Sequence, residues 1–179
     1  MTEQTLIERC KHSDRVAQKL LYEKHSAKFL GVCRRYLKNQ EDAEEVLVMG
    51  FCKICKHIKS FSGPGAFGGW MRRIFVNESL MYLRKKYRFG EHTELDNIPQ
   101  TMLKTKAHDP LETADIMKLV ESLPIGYRTV FNLYVIEGYK HREIAEMLQI
   151  SVNTSKSQLK VAKERLRQMI TKSEQGSRG

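Results

Sequence analysis

Long apolar runs are absent from this chain, and no stretch approaches the roughly 20 residues that a membrane-spanning helix needs. The N-terminus, MTEQTLIERCKHSDR, also lacks the basic-then-apolar order of a secretory signal peptide. We therefore expect no membrane insertion and a place in the cytoplasm, where thiols stay reduced. On that expectation the four cysteines do not form disulfides.

Signatures of catalysis are lacking too. The GPGAFGG segment at 63–69 has neither the lysine nor the spacing of a phosphate-binding loop, and no histidine has an acid or nucleophile partner that spacing identifies. Cys52 and Cys55 form a C-x-x-C step close to His57, but Cys10 and Cys33 supply no second pair for tetrahedral zinc. Zinc or redox chemistry is the weaker interpretation, because cysteines within a helical pattern more often pack in a core. We expect no enzyme activity, metal or cofactor.

Acidic residues are scarce relative to basic ones. The chain has 21 Asp and Glu against 31 Lys and Arg, which gives a net charge of +10 and a pI near 9.5. Such a balance suits a polyanionic partner whose phosphates release counterions as Lys and Arg approach. Two segments carry the excess: residues 71–90 hold six basic side chains against one acidic, and residues 138–170 hold seven against three. The sequence thus predicts two basic surfaces.

Alternating strand patterns are also missing, so we predict an all-α protein of two small helical domains joined by a flexible linker. Helical periodicity covers most of residues 1–90. Residues 91–110 are polar and aperiodic, which indicates the linker. Residues 111–170 read as a four-helix domain ending in a helix-turn-helix, with helices at 111–123 and 124–137 before it. We predict a disordered tail at 171–179.

The first domain contains three predicted long helices. Apolar residues mark one helix from Val16 through Leu20 to Leu37, a second over 43–58, and a third that starts near Phe67 and runs into the basic LRKKYR segment. The third helix is apolar on more than one face, which predicts contacts beyond its own core. An intermediate stripe of this helix carries polar side chains at helical spacing: Arg73, Asn77, Arg84 and Arg88.

Residues 141–170, HREIAEMLQISVNTSKSQLKVAKERLRQMI, have the pattern of a helix-turn-helix. The second helix has one stripe of apolar or small residues: Val152, Ser155, Leu159, Ala162, Leu166 and Ile170. The shorter first helix has its own apolar face: Ile144, Ala145 and Leu148. Ser151 can cap the second helix, whose opposite face offers hydroxyls, amides and amines suited to base edges in the major groove. An ordinary helical hairpin with a solvated face is the alternative interpretation.

Three longer motifs follow one another along the chain: DAEEV at 42–46, GGWMRRIFVNESLMYLRKK at 68–86, and LPIGYRTVFNLYVIEGYKHREIAEML with SVNTSKSQL and AKERL over 123–166. In this order they resemble bacterial RNA polymerase sigma factors of the sigma-70 family, in particular the extracytoplasmic-function (ECF) subgroup. The resemblance implies a region 2 at 1–90 that binds core polymerase and reads the melted minus-ten element, and a region 4 at 111–170 that reads the duplex minus-thirty-five element. It implies as partners the β′ clamp helices and β flap of RNA polymerase, promoter DNA as duplex and melted strand, and an anti-sigma factor of the kind the subgroup often has.

The resemblance also implies site residues on each predicted helix. The polymerase-binding set is Glu41, Asp42, Glu45, Val48, Met49 and Cys52. The minus-ten set is Phe61, Phe67, Trp70, Arg73, Asn77, Arg84, Lys85 and Arg88. The minus-thirty-five set is Asn153, Thr154, Lys156, Ser157, Gln158, Lys160, Val161 and Lys163. For Trp70, core packing is an equally open interpretation, because large aromatic side chains are usually buried.

Several positions depart from the family's pattern. Val48 and Met49 stand where a Gln and an acidic residue are common, which leaves open more apolar docking, a divergent polymerase, or weaker docking. Gln158 replaces a common Arg and predicts a shift toward adenine, while Val161 can touch a thymine methyl. Lys140 lacks the hydroxyl of the usual cap, and Gln149 replaces a turn glycine.

The sequence therefore predicts an ECF-type sigma factor that binds core RNA polymerase, directs it to promoters and assists melting. A helix-turn-helix regulator with an N-terminal ligand-binding or dimerisation domain is the alternative, and a cysteine-ligated metal sensor is a more remote one.

Overall fold

The computed structural model describes residues 2–62, 66–87 and 113–176, and within these ranges the chain is helical without strands. The all-α prediction is confirmed. The chain divides into two compact units, Met1–Lys86 and Tyr87–Gly179. Among the described helices, none combines the length and the apolar character that crossing a bilayer would require. The predicted linker at 91–110 lies outside the described residues.

The N-terminal unit contains four α-helices among its described residues. They are α1 at Glu3–Lys11, α2 at Arg15–Tyr36, α3 at Gln40–His57 and α4 at Phe67–Lys86, with a short 3₁₀ turn at Ile58–Ser60 after α3. Side-chain caps set three of the starts, and before α1 Thr2 Oγ1 accepts from the Thr5 amide at 3.2 Å. The Asp14 carboxylate accepts from the amides of Val16 and Ala17 at 2.9 and 3.2 Å, and Asn39 Oδ1 accepts from the Asp42 amide at 3.1 Å. The three predicted long helices are present, and α1 is an additional one.

Aromatic rings from three helices form the centre of this unit. Phe29 of α2 stacks on Phe75 of α4 with ring centres 4.5 Å apart, and Phe51 of α3 meets Phe75 edge-on at 5.2 Å. Of the apolar residues that mark α2 in the sequence, Val16 and Leu20 lie outside the core, with side chains 62% and 38% exposed. The buried stripe of α2 instead follows Ala17 at four-residue steps to Phe29 and beyond.

Helix α4 is apolar on more than one face because it packs against both α2 and α3. Most of its apolar surface therefore lies in the unit's own core, and Met81 remains 39% exposed. Within this packing Glu78 is nearly buried, and Lys53 of α3 donates to its carboxylate at 2.6 Å. The one acidic side chain of this basic helix therefore has a structural partner.

The described part of the C-terminal unit contains four further α-helices: α5 at Thr113–Ser122, α6 at Ile125–Phe131, α7 at His141–Leu148 and α8 at Val152–Gly176. Pro124 occupies the N-cap position of α6, and α6 passes into a π-helical turn at Asn132–Ile136, which is followed by Gly138 with a φ of 79°. The described part of α5 packs on α8 through a buried cluster: Leu119, Val120, Leu123, Ala162 and Leu166.

Two further features of this unit were not expected. The α8 helix continues to Gly176, so the predicted boundary of a disordered tail at residue 171 is too early. Arg128 of α6 is buried and donates to the carbonyls of Glu121 and Leu123 at 3.2 and 3.4 Å, near the end of α5. Burial lowers the pKa of Arg128 to about 10, so this basic residue is structural and still charged at neutral pH.

Candidate nucleic-acid and protein interfaces

The helix-turn-helix segment forms as α7, a left-handed turn and α8. Gln149 ends α7 with a φ of 57°, and Ser151 Oγ accepts from the Thr154 amide at 2.9 Å to cap α8. The predicted apolar residues Ile144, Ala145 and Leu148 are buried. Both helices and the Ser151 cap are therefore confirmed.

The start of α7 has an unpredicted substitute for its missing cap. The Lys140 side chain has no acceptor, but the Glu143 carboxylate accepts from the Lys140 amide at 2.7 Å. This bond is the reverse half of a capping box and satisfies one of the amides that a helix start leaves free. The sequence carried this signal in the three-residue spacing of Lys140 and Glu143.

The outward face of α8 is polar and basic. Asn153, Lys156, Ser157, Lys160 and Lys163 are exposed, whereas Thr154 and Val161 are partly buried. The Thr154 hydroxyl lies 2.8 Å from Ser151 Oγ. Lys163 Nζ lies 5.8 Å from the ring centre of Tyr134 in the π-helical turn. A face of amides, hydroxyls and ammonium groups on one helix can donate to phosphates and to base edges.

Gln158 is placed differently from the other predicted base-reading residues. It is partly buried, and a Cβ added at Gly126 of α6 would lie 3.4 Å from Gln158 Nε2. The Gln158 side chain therefore lies against the N-terminal turn of α6, at the edge of the exposed face. This placement favours a packing role over the adenine contact that we predicted from its amide.

His141 and Ser155 connect the two helices of the motif. Ser155 is fully buried on α8, and its Oγ lies 2.9 Å from His141 Nδ1 at the start of α7. The His141 ring stacks on Tyr134 with centres 4.5 Å apart. Burial lowers the pKa of His141, and Lys156 and Lys163 lower it further. The sequence does not predict a role for His141, because nothing in a 14-residue separation indicates that it contacts Ser155.

Three aromatic residues around the start of α4 form one cluster. Phe61, Phe67 and Trp70 have ring centres 5.1 to 5.6 Å apart. Phe67 is buried at 2% exposure, while Phe61 and Trp70 are partly exposed. Phe67 therefore packs against the other two rings on their buried side. Partly exposed rings on a buried support suit stacking of an unpaired base.

The polar side chains of α4 continue this surface along the helix. Arg73, Asn77 and Lys85 are exposed, and Arg84 is partly buried. Arg88 lies outside the described residues. Together with the aromatic cluster, the exposed cations give an arrangement that can hold a backbone while rings receive its bases.

Helix α3 presents a mixed acidic and apolar face. Glu41, Glu45 and Cys52 are exposed, as are Val48 at 53% and Met49 at 42%. A groove of about 430 Å³ runs beside Val48 between α2 and α3, and Tyr22 and Leu30 line it. Exposed apolar side chains of this size among carboxylates are typical of a surface that a protein partner covers.

Asp42 does not share the exposure of this face. Its carboxylate accepts from the Tyr82 hydroxyl at 2.6 Å and from Lys86 Nζ at 2.8 Å, both on α4. The hydrogen bond from Lys86 is the largest cause that holds the pKa of Asp42 below its usual range, and the hydrogen bond from Tyr82 is the next. We predicted Asp42 as a polymerase contact, but both of its carboxylate oxygens accept hydrogen bonds from α4 of the same chain.

The four cysteines differ in their surroundings and exposure. Among the residues that the structure describes, no three His, Cys, Asp or Glu side chains converge on a point that could hold a metal ion. Cys52 is exposed, Cys55 is partly buried, and Cys10 and Cys33 are buried. Burial raises the pKa of the Cys10 and Cys33 thiols to about 11, so both are protonated at neutral pH.

Comparisons with known proteins find matches along both units of the chain. A model of sigma-70 region 2 matches residues 21–89, and one of sigma-70 region 4 matches residues 113–166. The chain is 26% identical to the ECF RNA polymerase sigma-E factor of Haemophilus influenzae, over 95% of this chain and 96% of that protein. It is 27% identical to the RNA polymerase sigma-H factor of Pseudomonas aeruginosa, over 90% of each. A solved structure of CnrH in complex with the cytosolic domain of CnrY shares its fold, with a TM-score of 0.50 and 20% identity over 94% of this chain and 97% of that one.

Proposed function

The chain belongs to the sigma-70 family as an ECF-type sigma factor, which binds core RNA polymerase and directs it to promoters, and from this we propose how its surfaces divide the work. The exposed face of α3 docks on polymerase, the aromatic and basic surface of α4 holds the melted minus-ten strand, and the exposed face of α8 reads the duplex minus-thirty-five element. The observation that carries this division is that three surfaces of different chemistry lie on three different helices.

Docking through α3 rests on the apolar side chains at its centre. Val48 and Met49 are exposed one turn beyond the acidic first half of α3, so covering them removes apolar area from water at about 25 cal/mol per Å². We infer that this chain docks through more apolar contact than its relatives with a Gln and an acidic residue there. Glu41 and Glu45 supply the surrounding charge.

Strand capture by α4 rests on the partly exposed rings of Phe61 and Trp70. A base that leaves the duplex loses its stacking, and an aromatic side chain replaces that at about 1–3 kcal/mol per base. Asn77 can pair with a base edge, and Arg73 and Lys85 attract the phosphates. The buried Phe67 acts through the other two rings.

Duplex reading by α8 rests on the exposed residues of its first three turns. Asn153, Lys156, Ser157 and Lys160 are exposed there, and we propose that they contact base edges and phosphates, with Lys163 as a phosphate contact. We propose that Gln158 supports the reading helix from α6, and that Val161 and Thr154 lie at the edge of the contact.

Inhibition by a protein partner would use the same docking region. The relative CnrH occurs in a complex with the cytosolic domain of CnrY. We propose that an anti-sigma factor of this chain covers Val48 and the groove beside Tyr22, and thereby excludes polymerase. Val48→Ser should weaken both interactions, and a variant that loses polymerase while keeping the inhibitor would contradict the shared site.

A reconstituted transcription assay tests the division of roles. At the ionic strength of the bacterial cytoplasm, the chain with core polymerase should give specific transcripts from a cognate promoter. The chain itself does no covalent chemistry in this reaction. Met49→Ser should lower the affinity for core polymerase, whereas Trp70→Ala and Asn77→Ala should spare that affinity and impair melting. Val16→Ser, which changes an exposed apolar residue on α2, is the matched control and should leave both unchanged.

Two results would overturn the proposal. Tight duplex binding by the chain alone without polymerase binding would favour the helix-turn-helix regulator instead. If the Met49 and Trp70 variants failed at the same step, the assignment of docking to α3 and strand capture to α4 would be wrong.

A further inference from the structure

One carboxylate joins the first turn of α3 to the last turns of α4. Asp42 accepts from Tyr82 through Oδ1 and from Lys86 through Oδ2, at 2.6 and 2.8 Å. The Asp42 side chain is 19% exposed and that of Lys86 is 46% exposed. Lys86 Nζ also lies 5.9 Å from the centre of the Tyr82 ring. Three side chains thus hold one another in a defined arrangement at the surface.

We propose that Asp42 is a positioning residue, which fixes the basic end of α4 relative to the docking helix α3, and that it is not a polymerase contact. The inference rests on the proposed function, since α3 docks and α4 holds the melted strand only under that proposal. The observation behind it is the direction of the Asp42 carboxylate. Both of its oxygens are hydrogen-bonded to α4, while the neighbouring Glu41 and Glu45 are exposed.

The advantage of such an arrangement is entropic. A lysine side chain has many rotamers, and holding it for a phosphate contact costs conformational entropy at the moment of binding. In this chain Asp42 orders Lys86 before any strand arrives, and the ammonium group has three protons to donate. Because Asp42 lies on α3, the ordered end of α4 also keeps a fixed distance from the surface that contacts polymerase.

The test uses the full chain assembled with core polymerase. Asp42→Asn keeps the size and one acceptor but removes the anion that Lys86 contacts. Tyr82→Phe removes a single hydroxyl without changing the charge. Glu23→Gln is the matched control, because it removes one negative charge from an exposed position of the same unit, on α2 and outside the proposed sites. For each variant, the measurements are affinity for core polymerase, and affinity of the assembled enzyme for a single-stranded minus-ten oligonucleotide.

Asp42→Asn and Tyr82→Phe should each keep core affinity within about twofold of the original chain. Each should weaken oligonucleotide binding about fivefold, the size expected when one hydrogen bond that orders a contact is lost. Glu23→Gln should not weaken oligonucleotide binding, which separates positioning from a change in net charge. In a Lys86→Met background, Asp42→Asn should add less than it does alone, because part of its effect passes through Lys86.

Three outcomes would overturn the inference. A loss of core affinity in Asp42→Asn would make Asp42 a polymerase contact. Unchanged oligonucleotide binding in both variants would leave the arrangement without a role in strand capture. Tighter oligonucleotide binding in Asp42→Asn would mean that the carboxylate only screens Lys86. Should Asp42→Asn unfold at assay temperature, Tyr82→Phe decides alone. Failure of the original chain to bind core polymerase would instead overturn the proposed function, and the inference with it.

Discussion

At the scale of single residues, the packing of α3 on α4 depends on a missing side chain. Gly50 lies in the middle of α3, and a Cβ added there would overlap the ring of Phe75. The Phe75 ring cannot move easily, because Phe29 stacks on it and Phe51 meets its edge. A glycine in a helix usually weakens it, so here close packing outweighs helix propensity.

Gly50→Ala should therefore destabilise the N-terminal unit by about 1–3 kcal/mol, the usual cost of overpacking a core. Gly31→Ala is the matched control, because Gly31 lies within α2 with nothing inside 4 Å of an added Cβ. That control should be neutral or stabilising by up to about 1 kcal/mol. Urea unfolding of both variants measures the difference, and equal stability would show that the Phe75 ring yields to the added methyl.

At the scale of elements, the turn of the helix-turn-helix carries backbone strain. Gln149 has a φ of 57°, in the left-handed region where side chains other than glycine cost about 1 kcal/mol. Its amide nevertheless bonds to the Glu146 carbonyl at 3.4 Å, and the Ile150 amide bonds to Ala145 at 3.0 Å. The helix end is therefore satisfied at the expense of conformational strain.

Gln149→Gly should stabilise the C-terminal unit by about 0.5–1 kcal/mol, because glycine adopts this conformation without a clash. Gln149→Ala keeps a Cβ and should give little gain, so the pair separates backbone strain from the loss of the exposed side chain. Thermal unfolding measures both. A gain of equal size in the two variants would locate the effect in the side chain instead.

The contact between α7 and α8 should make stability depend on pH. His141 has a lowered pKa in the folded chain, and so has His25 in the N-terminal unit. As pH falls through about 6.5, the ordinary pKa of histidine, the unfolded chain takes up protons before the folded chain does. Stability is thus intact above that pH and is lost below it.

His141→Gln should remove the share of this loss that belongs to the C-terminal unit, while the share from His25 remains. The measurement is the unfolding temperature of the variant and the original chain between pH 7.5 and 5.5. The original chain should lose more on acidification. Identical losses would show that His141 keeps its ordinary pKa despite its burial between Tyr134 and Ser155.

At the scale of the whole molecule, a net charge of +10 makes binding to DNA sensitive to salt. Lys163 is exposed on α8 within the proposed duplex-reading face, whereas Lys172 is exposed beyond it. Removing one phosphate contact should reduce the slope of log affinity against log salt by about 0.9 on duplex DNA. Replacing either lysine with glutamine changes the net charge equally. A difference between the two salt slopes therefore separates a direct phosphate contact from general attraction.

Lys163→Gln should lower that slope by about one unit and weaken binding similarly for all sequences, while Lys172→Gln should leave the slope unchanged. Titration of the assembled polymerase with promoter duplex at several salt concentrations measures both. A reduced slope in Lys172→Gln as well would extend the contact past the third turn of α8.

The sequence by itself determined the helical fold, the helix-turn-helix, its Ser151 cap and the excess of basic charge. These follow from spacing along the chain, because a side chain on a helix faces its neighbours three and four residues away. The family motifs rest on the same local patterns. The charge of a segment and its helical periodicity do not depend on which other segment packs against it.

Tertiary structure alone decided which polar side chains are free to meet a partner. Asp42 looked like an exposed carboxylate, but Tyr82 lies 40 positions further along the chain and bonds to it. Gln158 lies against Gly126, and His141 meets Ser155, through contacts that no spacing rule indicates. Val16 and Leu20 stay exposed because only one stripe of α2 meets the other helices. The availability of a side chain depends on what another helix places beside it, and that is settled when the helices pack.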